Sequence, residues 1–185
     1  MHRIFLPLCG VSWLLLIAAF VLGLQIDDPK VVDVAVQRGV QHHLLTALGA
    51  IVFATMVHAL VLTYFMGTGR WLEETSNAYR LDAKYFQESK TLKYRTIPAL
   101  VGAFVLLVVT GAFGAAADPG SPTQFAGWFG LSAATIHQIS AIVTLSINAV
   151  VNYLEFTALF RNSEIIDQAM QAVREIRLAK GLAVE

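Results

Sequence analysis

Residues 42–66 read HHLLTALGAIVFATMVHALVLTYFM and contain no Asp, Glu, Lys or Arg. They lie within an uncharged run from Gly39 to Gly69. A helix needs roughly 20 apolar residues to cross the hydrocarbon core of a bilayer, which is about 30 Å thick. This run is longer, so it predicts a transmembrane helix with histidines near its start.

The rest of the chain has the same character. Charged residues make up 14% of it and apolar residues 56%, whereas soluble domains average about 25% charged residues. The other uncharged segments cover 4–26, 96–117 and 119–154. We therefore predict an all-α fold, a four-transmembrane-helix bundle forming one membrane domain over 1–185. Its predicted spans are 5–25, 43–66, 96–116 and 133–160.

The distribution of charge predicts an orientation in the membrane. The chain has 13 basic and 13 acidic residues, and this balance argues against a nucleic-acid partner. Of the cations, only Lys30 and Arg38 lie in the segments on the far side of the spans from both termini. By the positive-inside rule, both termini and the central segment 67–95 are cytoplasmic. We expect a multi-pass protein of the bacterial inner membrane, with the lipid bilayer and other membrane subunits as its partners.

The two halves of the chain resemble each other. Sliding one half over the other aligns Pro7/Pro98, Gly23/Gly114 and Asp27/Asp118 at one offset, and His43/His137 at a slightly larger one. This pattern favours two duplicated helical hairpins, 1–94 and 95–185, that run parallel in the membrane. Apolar segments also match by chance, so four unrelated helices are the alternative.

The segments outside the spans are amphipathic. Gly67-Thr68-Gly69 predicts the end of helix 2, because glycine adopts the left-handed conformation that ends helices. The cytoplasmic segment 67–95 mixes aromatic and charged residues, which predicts amphipathic helix on the membrane or on a partner subunit. After Arg161, apolar residues at helical spacing predict that helix 4 continues into the cytoplasm.

Two histidines of helix 2 share a face. His43 and His58 are 15 residues apart, about 22 Å along the axis and about 60° around it. This spacing resembles the ligand helices of di-haem b-type cytochromes, and the resemblance covers one helix only. Helix 4 matches at His137 but has Asn152 where the second histidine belongs. The resemblance therefore implies one haem b with His43 and His137 as iron ligands near the outer surface, and it leaves His58 as a further cofactor-binding candidate.

Other interpretations of the histidines stay open. His43 and His137 could contact another metal or a quinone, or they could be polar residues at the interface and at a helix start. His58 lies deeper, where ionisable residues are costly. It either bonds to Asn148, Asn152 or Thr55 as a structural contact, or it handles protons or quinone.

One further ionisable residue lies at the end of helix 4. We expect Glu155 to form a structural ion pair with Arg161 or Arg70, because a carboxylate this close to the hydrocarbon core needs a counter-charge.

The chain carries no P-loop, HExxH, CxxC or CxxCH motif, so we predict no independent catalytic activity. Residues 64–71, YFMGTGRW, resemble uncharacterised small four-helix integral membrane proteins of bacteria, which implies no activity. The first functional hypothesis is an electron-transfer membrane subunit whose partner is an extracytoplasmic cytochrome or a quinone. The second is a non-redox scaffolding subunit of a larger respiratory, photosynthetic or transport complex. A transporter ranks last, because charges inside the spans are nearly absent.

Overall fold

Four long helices account for most of the chain in a computed structural model that describes residues 1–123 and 125–183. The elements are α1 (His2–Leu24), α2 (Val34–Tyr79), α3 (Lys84–Ala117), β1 (Gly127–Trp128), β2 (Leu131–Ser132) and α4 (Ala133–Ala179). Every helix is long and apolar enough to cross a membrane. The predicted all-α, multi-pass membrane architecture is confirmed at this level.

The four helices pack in a ring, and the helices of one diagonal pair also contact each other. α1 and α3 each contact α2 and α4, and α2 and α4 also contact each other. Within the described residues α1 and α3 do not meet, so they occupy opposite corners. Side chains on the facing sides of α2 and α4 therefore lie in the middle of the protein, where a shared site can form.

Three helices, α2, α3 and α4, are longer than one membrane span requires. α2 has 46 residues and α4 has 47, which corresponds to about 70 Å each and more than twice the hydrocarbon thickness. We call the end that carries the loops 25–33 and 118–132 the loop end. The opposite end, where α2, α3 and α4 project, is the tail end.

The predicted end of helix 2 at Gly67-Thr68-Gly69 is wrong, because α2 continues to Tyr79. Asn162 of α4 donates to the Thr68 hydroxyl at 3.0 Å, and Leu72 beyond it is fully buried. An interior glycine costs about 1 kcal/mol relative to alanine, whereas burial of one leucine contributes about 1.5–3 kcal/mol. Packing against α4 therefore outweighs the glycines, and the helix ends only where Arg80 adopts φ 54°.

The tail end is a three-helix extension. α3 begins at Lys84 rather than near residue 96, and its first turns contact the ends of α2 and α4. The buried core consists of Leu72, Ile165 and Ala169. The prediction that helix 4 stays helical beyond Arg161 is confirmed. Segment 67–95 does not form a separate surface helix: it continues α2 and α3, because its apolar residues find partners on the chain's own α4.

A short hairpin closes the loop end. β1 and β2 pair through a turn in which Phe129 and Gly130 both have positive φ, the conformation of a type I′ turn. The Trp128 ring packs on Phe113 and Phe125, with ring centroids 5.7 and 5.1 Å away. Ser132 then caps α4 by accepting the Thr135 N–H. The hairpin thus fixes the first turn of α4.

Candidate functional site

His43 and His137 lie side by side at the loop end. Their ring centroids are 6.1 Å apart and their planes are inclined by 70°. His43 projects from α2 and His137 from the first turns of α4, and both side chains are half-buried. The two candidate ligands that the predicted topology placed near the same surface are therefore neighbours in the structure.

Each imidazole is held by a carbonyl of the preceding helix. His43 Nδ1 lies 2.9 Å from the Ala19 carbonyl oxygen, and His137 Nδ1 lies 3.2 Å from that of Thr110. A carbonyl oxygen only accepts hydrogen bonds, so Nδ1 carries the hydrogen and donates in both rings. In a neutral ring this tautomer leaves the lone pair on Nε2, which is the atom available for a ligand.

A glycine makes room for each ring. A Cβ atom on Gly23 would lie 2.9 Å from His43 Cε1, and one on Gly114 would lie 2.9 Å from His137 Cε1. Each glycine follows its hydrogen-bonding carbonyl by four residues, so both lie on the same face, one turn apart. Each hairpin therefore has the same arrangement of carbonyl, glycine and histidine.

The two histidines fit a metal cofactor in which most of the metal's ligands belong to the cofactor itself. Two imidazoles that bind opposite sides of one metal at about 2.0–2.1 Å have centroids about 6 Å apart, and the observed value is 6.1 Å. In the described residues no group of three or more His, Cys, Asp or Glu side chains could hold a bare ion. Haem iron needs only the two axial ligands from protein, because the porphyrin supplies the others. Metal-binding histidines also typically donate their second N–H to a carbonyl or a carboxylate.

His58 belongs to a different cluster. It is 2% exposed, its Nδ1 lies 2.8 Å from Glu155 Oε1, and its Nε2 lies 3.0 Å from Asn148 Oδ1. Because both ring nitrogens have partners, neither is free for a cofactor in this arrangement. The structure thus brings together His43 and His137, but not His58. Of the three partners expected for His58, it contacts Asn148.

The expected ion pair of Glu155 with Arg161 or Arg70 is wrong. Arg161 binds Glu88 and Glu164, and Arg70 pairs with Glu74. Glu155 is fully buried and faces His58 instead. The physical reason is rotation along the helix: six residues separate Glu155 from Arg161, which places the two side chains about 120° apart around α4.

Trp13 and Asn152 complete the cluster around Glu155. With the Asn152 amide oriented so that both its groups are satisfied, Nδ2 donates to Glu155 Oε2 at 3.1 Å and Oδ1 accepts from Trp13 Nε1 at 3.0 Å. Sequence reasoning missed Trp13. Its position along the span could have identified it, since tryptophan in spanning helices prefers the interface and Trp13 lies in the middle of α1.

Polar side chains connect the cluster towards the loop end. The Thr110 hydroxyl lies 2.7 Å from the hydroxyls of both Ser140 and Thr144, and Asn148 Nδ2 donates to the Thr144 carbonyl at 2.9 Å. The inward face of α4 is therefore polar over several turns. Its members are Ser140, Thr144, Asn148, Asn152 and Glu155.

The glycine contacts make a first prediction. Gly23→Ala and Gly114→Ala are each expected to lower the free energy of unfolding by about 1–3 kcal/mol, because the new methyl group displaces a hydrogen-bonded ring. Gly10→Ala is the control, since a Cβ there meets nothing within 4 Å. Thermal unfolding in detergent micelles measures the effect. An unfolding midpoint in Gly23→Ala or Gly114→Ala equal to that of Gly10→Ala would contradict the close contact.

Comparisons with known protein families, with curated proteins and with solved structures find no match to this chain.

Proposed function

We propose that this protein is an electron-transfer membrane subunit that binds one b-type haem between His43 and His137. The observation that carries the proposal is the pair of neighbouring imidazoles, with ring centroids 6.1 Å apart and each ring bonded to a carbonyl through Nδ1. In neutral rings these bonds leave both Nε2 atoms free of hydrogen and available to a ligand. A haem iron with two axial histidines needs both.

The residues of the site have distinct roles in this proposal. His43 and His137 bind the iron through Nε2, and the Ala19 and Thr110 carbonyls fix the ring orientation and raise the basicity of the ligands. The bound haem supplies reversible one-electron chemistry. The protein orients the group and surrounds it with apolar helices, which limits the access of water.

We further infer where electrons enter and leave. The site lies at the loop end, and the positive-inside rule supports an outer position for that end, with both termini cytoplasmic in a bacterial inner membrane. The redox partner is then an extracytoplasmic cytochrome or a quinol that approaches from the outer leaflet. The repeated carbonyl, glycine and histidine also support an origin of the two hairpins by duplication.

A second candidate is a scaffolding subunit without redox chemistry. The observation that favours it is the tail end, where three helices form a packed extension with its own core. Such an extension offers a rigid docking surface for other subunits of a membrane complex. One protein can have both functions, and the presence of bound haem shows whether it has the redox function.

The test is the absorbance spectrum of the purified full-length protein before and after reduction with dithionite. We expect the α-band of a b-type haem to appear on reduction, and the pyridine haemochrome assay to give one haem per chain. A preparation expressed with ample haem that is folded and colourless would refute the proposal and leave the scaffolding function. A haem content of two per chain would also refute the single site.

A further inference from the structure

The buried cluster around His58 and Glu155 lies about halfway along α2 and α4 and plays no part in the proposed haem site. Glu155 is fully buried and His58 is 2% exposed. Carboxylates and imidazoles at such depth are rare and mark ion or proton sites. The hydrogen bonds of the cluster decide how many protons it holds.

One side of Glu155 can only accept a hydrogen bond. The Trp13 indole N–H is a donor without acceptor capacity, so the amide group of Asn152 that faces it is Oδ1. The Asn152 Nδ2 group then points at Glu155 Oε2 and donates to it. A hydrogen on Oε2 would face another hydrogen, so Oε2 is unprotonated.

The far side of His58 is fixed in the same way. Asn148 Nδ2 donates to the Thr144 carbonyl, which leaves Asn148 Oδ1 to face His58 Nε2 at 3.0 Å. Because this oxygen only accepts, Nε2 carries a hydrogen. These contacts determine which atom donates in every hydrogen bond of the cluster except the one between His58 Nδ1 and Glu155 Oε1.

The contact between His58 Nδ1 and Glu155 Oε1 joins two atoms that can both carry lone pairs. At 2.8 Å, a bare ring nitrogen and a carboxylate oxygen would repel each other, and the negative charge would be buried without a counter-ion. A single hydrogen between them satisfies both atoms and makes the pair neutral, whether it sits on the ring or on the carboxyl group. We propose that His58 and Glu155 form a proton-binding site in the membrane span, which holds one exchangeable proton between Nδ1 and Oε1.

No side chain that faces the pair within the described residues can replace this proton. The facing ionisable group from α1 is the Cys9 thiol, which carries no positive charge. Residues 96–117 of α3 contain no ionisable side chain. The cations Arg70 and Arg161 are bound to other carboxylates. The proton is therefore the counter-charge of Glu155.

The polar face of α4 indicates the side from which the proton exchanges. From His58 towards the loop end, polar contacts continue through Asn148 to the backbone carbonyl of Thr144, and the Thr144 hydroxyl bonds to that of Thr110. Towards the tail end, the next inward residues of α4 are Ala158 and Leu159, which belong to the apolar core. We expect the proton to exchange with the loop end, because polar side chains adjoin the pair there, whereas the apolar turn of Ala158 and Leu159 separates it from Asn162 towards the tail end.

Glu155→Gln is the decisive variant, since it removes the titratable group and keeps every hydrogen bond. The side-chain amide of this variant can donate to His58 Nδ1 while its oxygen accepts from Asn152. We expect infrared spectra of wild type to show a carboxylic-acid C=O band, or ¹⁵N NMR of labelled histidine to show hydrogen on Nδ1 of His58. Glu155→Gln loses either signal, and Glu74→Gln on the exposed surface keeps it.

The signal must also respond to exchange. We expect it to shift on transfer to D₂O and to disappear as the pH is raised. Thr144→Val is expected to slow the shift, and Thr68→Val at the tail end is expected to leave the rate unchanged. A wild-type protein with neither a carboxylic-acid band nor hydrogen on Nδ1, or with a proton that never exchanges, would overturn the proposal. Slowing by Thr68→Val alone would overturn the loop-end route. These measurements need no haem, so their outcome is independent of the proposed electron-transfer function.

Discussion

Replacing His43 or His137 with alanine is expected to remove the b-type α-band from the purified, reduced protein. Each variant loses one of the two iron ligands. Loss of a group that merely orients a metal ligand already lowers metal affinity by roughly 10–100-fold, so loss of the ligand itself is expected to exceed this and to leave the protein without haem after purification. Absorbance spectra and haem-to-protein ratios provide the measurement.

His42→Ala is the matched control for these variants. His42 adjoins His43 in the sequence but is exposed, about 100° away around α2. It should retain the band, and any effect of reduced helix stability would appear in it as well. The variants His43→Gly and His137→Gly should regain the α-band when imidazole is added to the buffer. If both alanine variants keep an unchanged spectrum, the haem is held elsewhere and the proposed ligands are wrong.

The sequence predicts the spans well because the signals are local. α4 begins at Ala133 as expected, with Ser132 as its cap. The first span is likewise offset from its expected limits by only a few residues. The length of an apolar run and the chemistry of the turn that interrupts it determine these ends, and both can be read without knowledge of the packing.

The contacts that build the two clusters could not be predicted in the same way. The partners of His43 and His137 are the backbone carbonyls of Ala19 and Thr110, and any residue type at those positions supplies a carbonyl. The partner of Glu155 depends on the rotation of α4 relative to α2, which charge alone does not specify. The continuation of α2 through Gly69 likewise depends on tertiary contacts with α4 that override local preference.

Glu155→Ala is expected to be the most destabilising single substitution in the interior of the spans. It leaves His58 Nδ1 and the Asn152 amide without a partner in apolar surroundings. Breaking a buried pair by removal of one member costs about 3–5 kcal/mol in soluble proteins. A value of about 3 kcal/mol is expected here, because polar groups of a chain unfolded within the membrane also find partners.

Unfolding by heat or by added denaturing detergent, followed by circular dichroism, gives the comparison across three variants. Glu155→Gln should stay close to wild type, since its amide can make the same contacts. Glu74→Ala removes an exposed carboxylate that pairs with Arg70, and it should change stability by less than about 0.5 kcal/mol. Equal effects of Glu155→Ala and Glu74→Ala would mean that Glu155 is hydrated in the protein. Because a hydrated carboxylate needs no proton from His58, that result would contradict both the buried cluster and the donor assignments that place a proton within it.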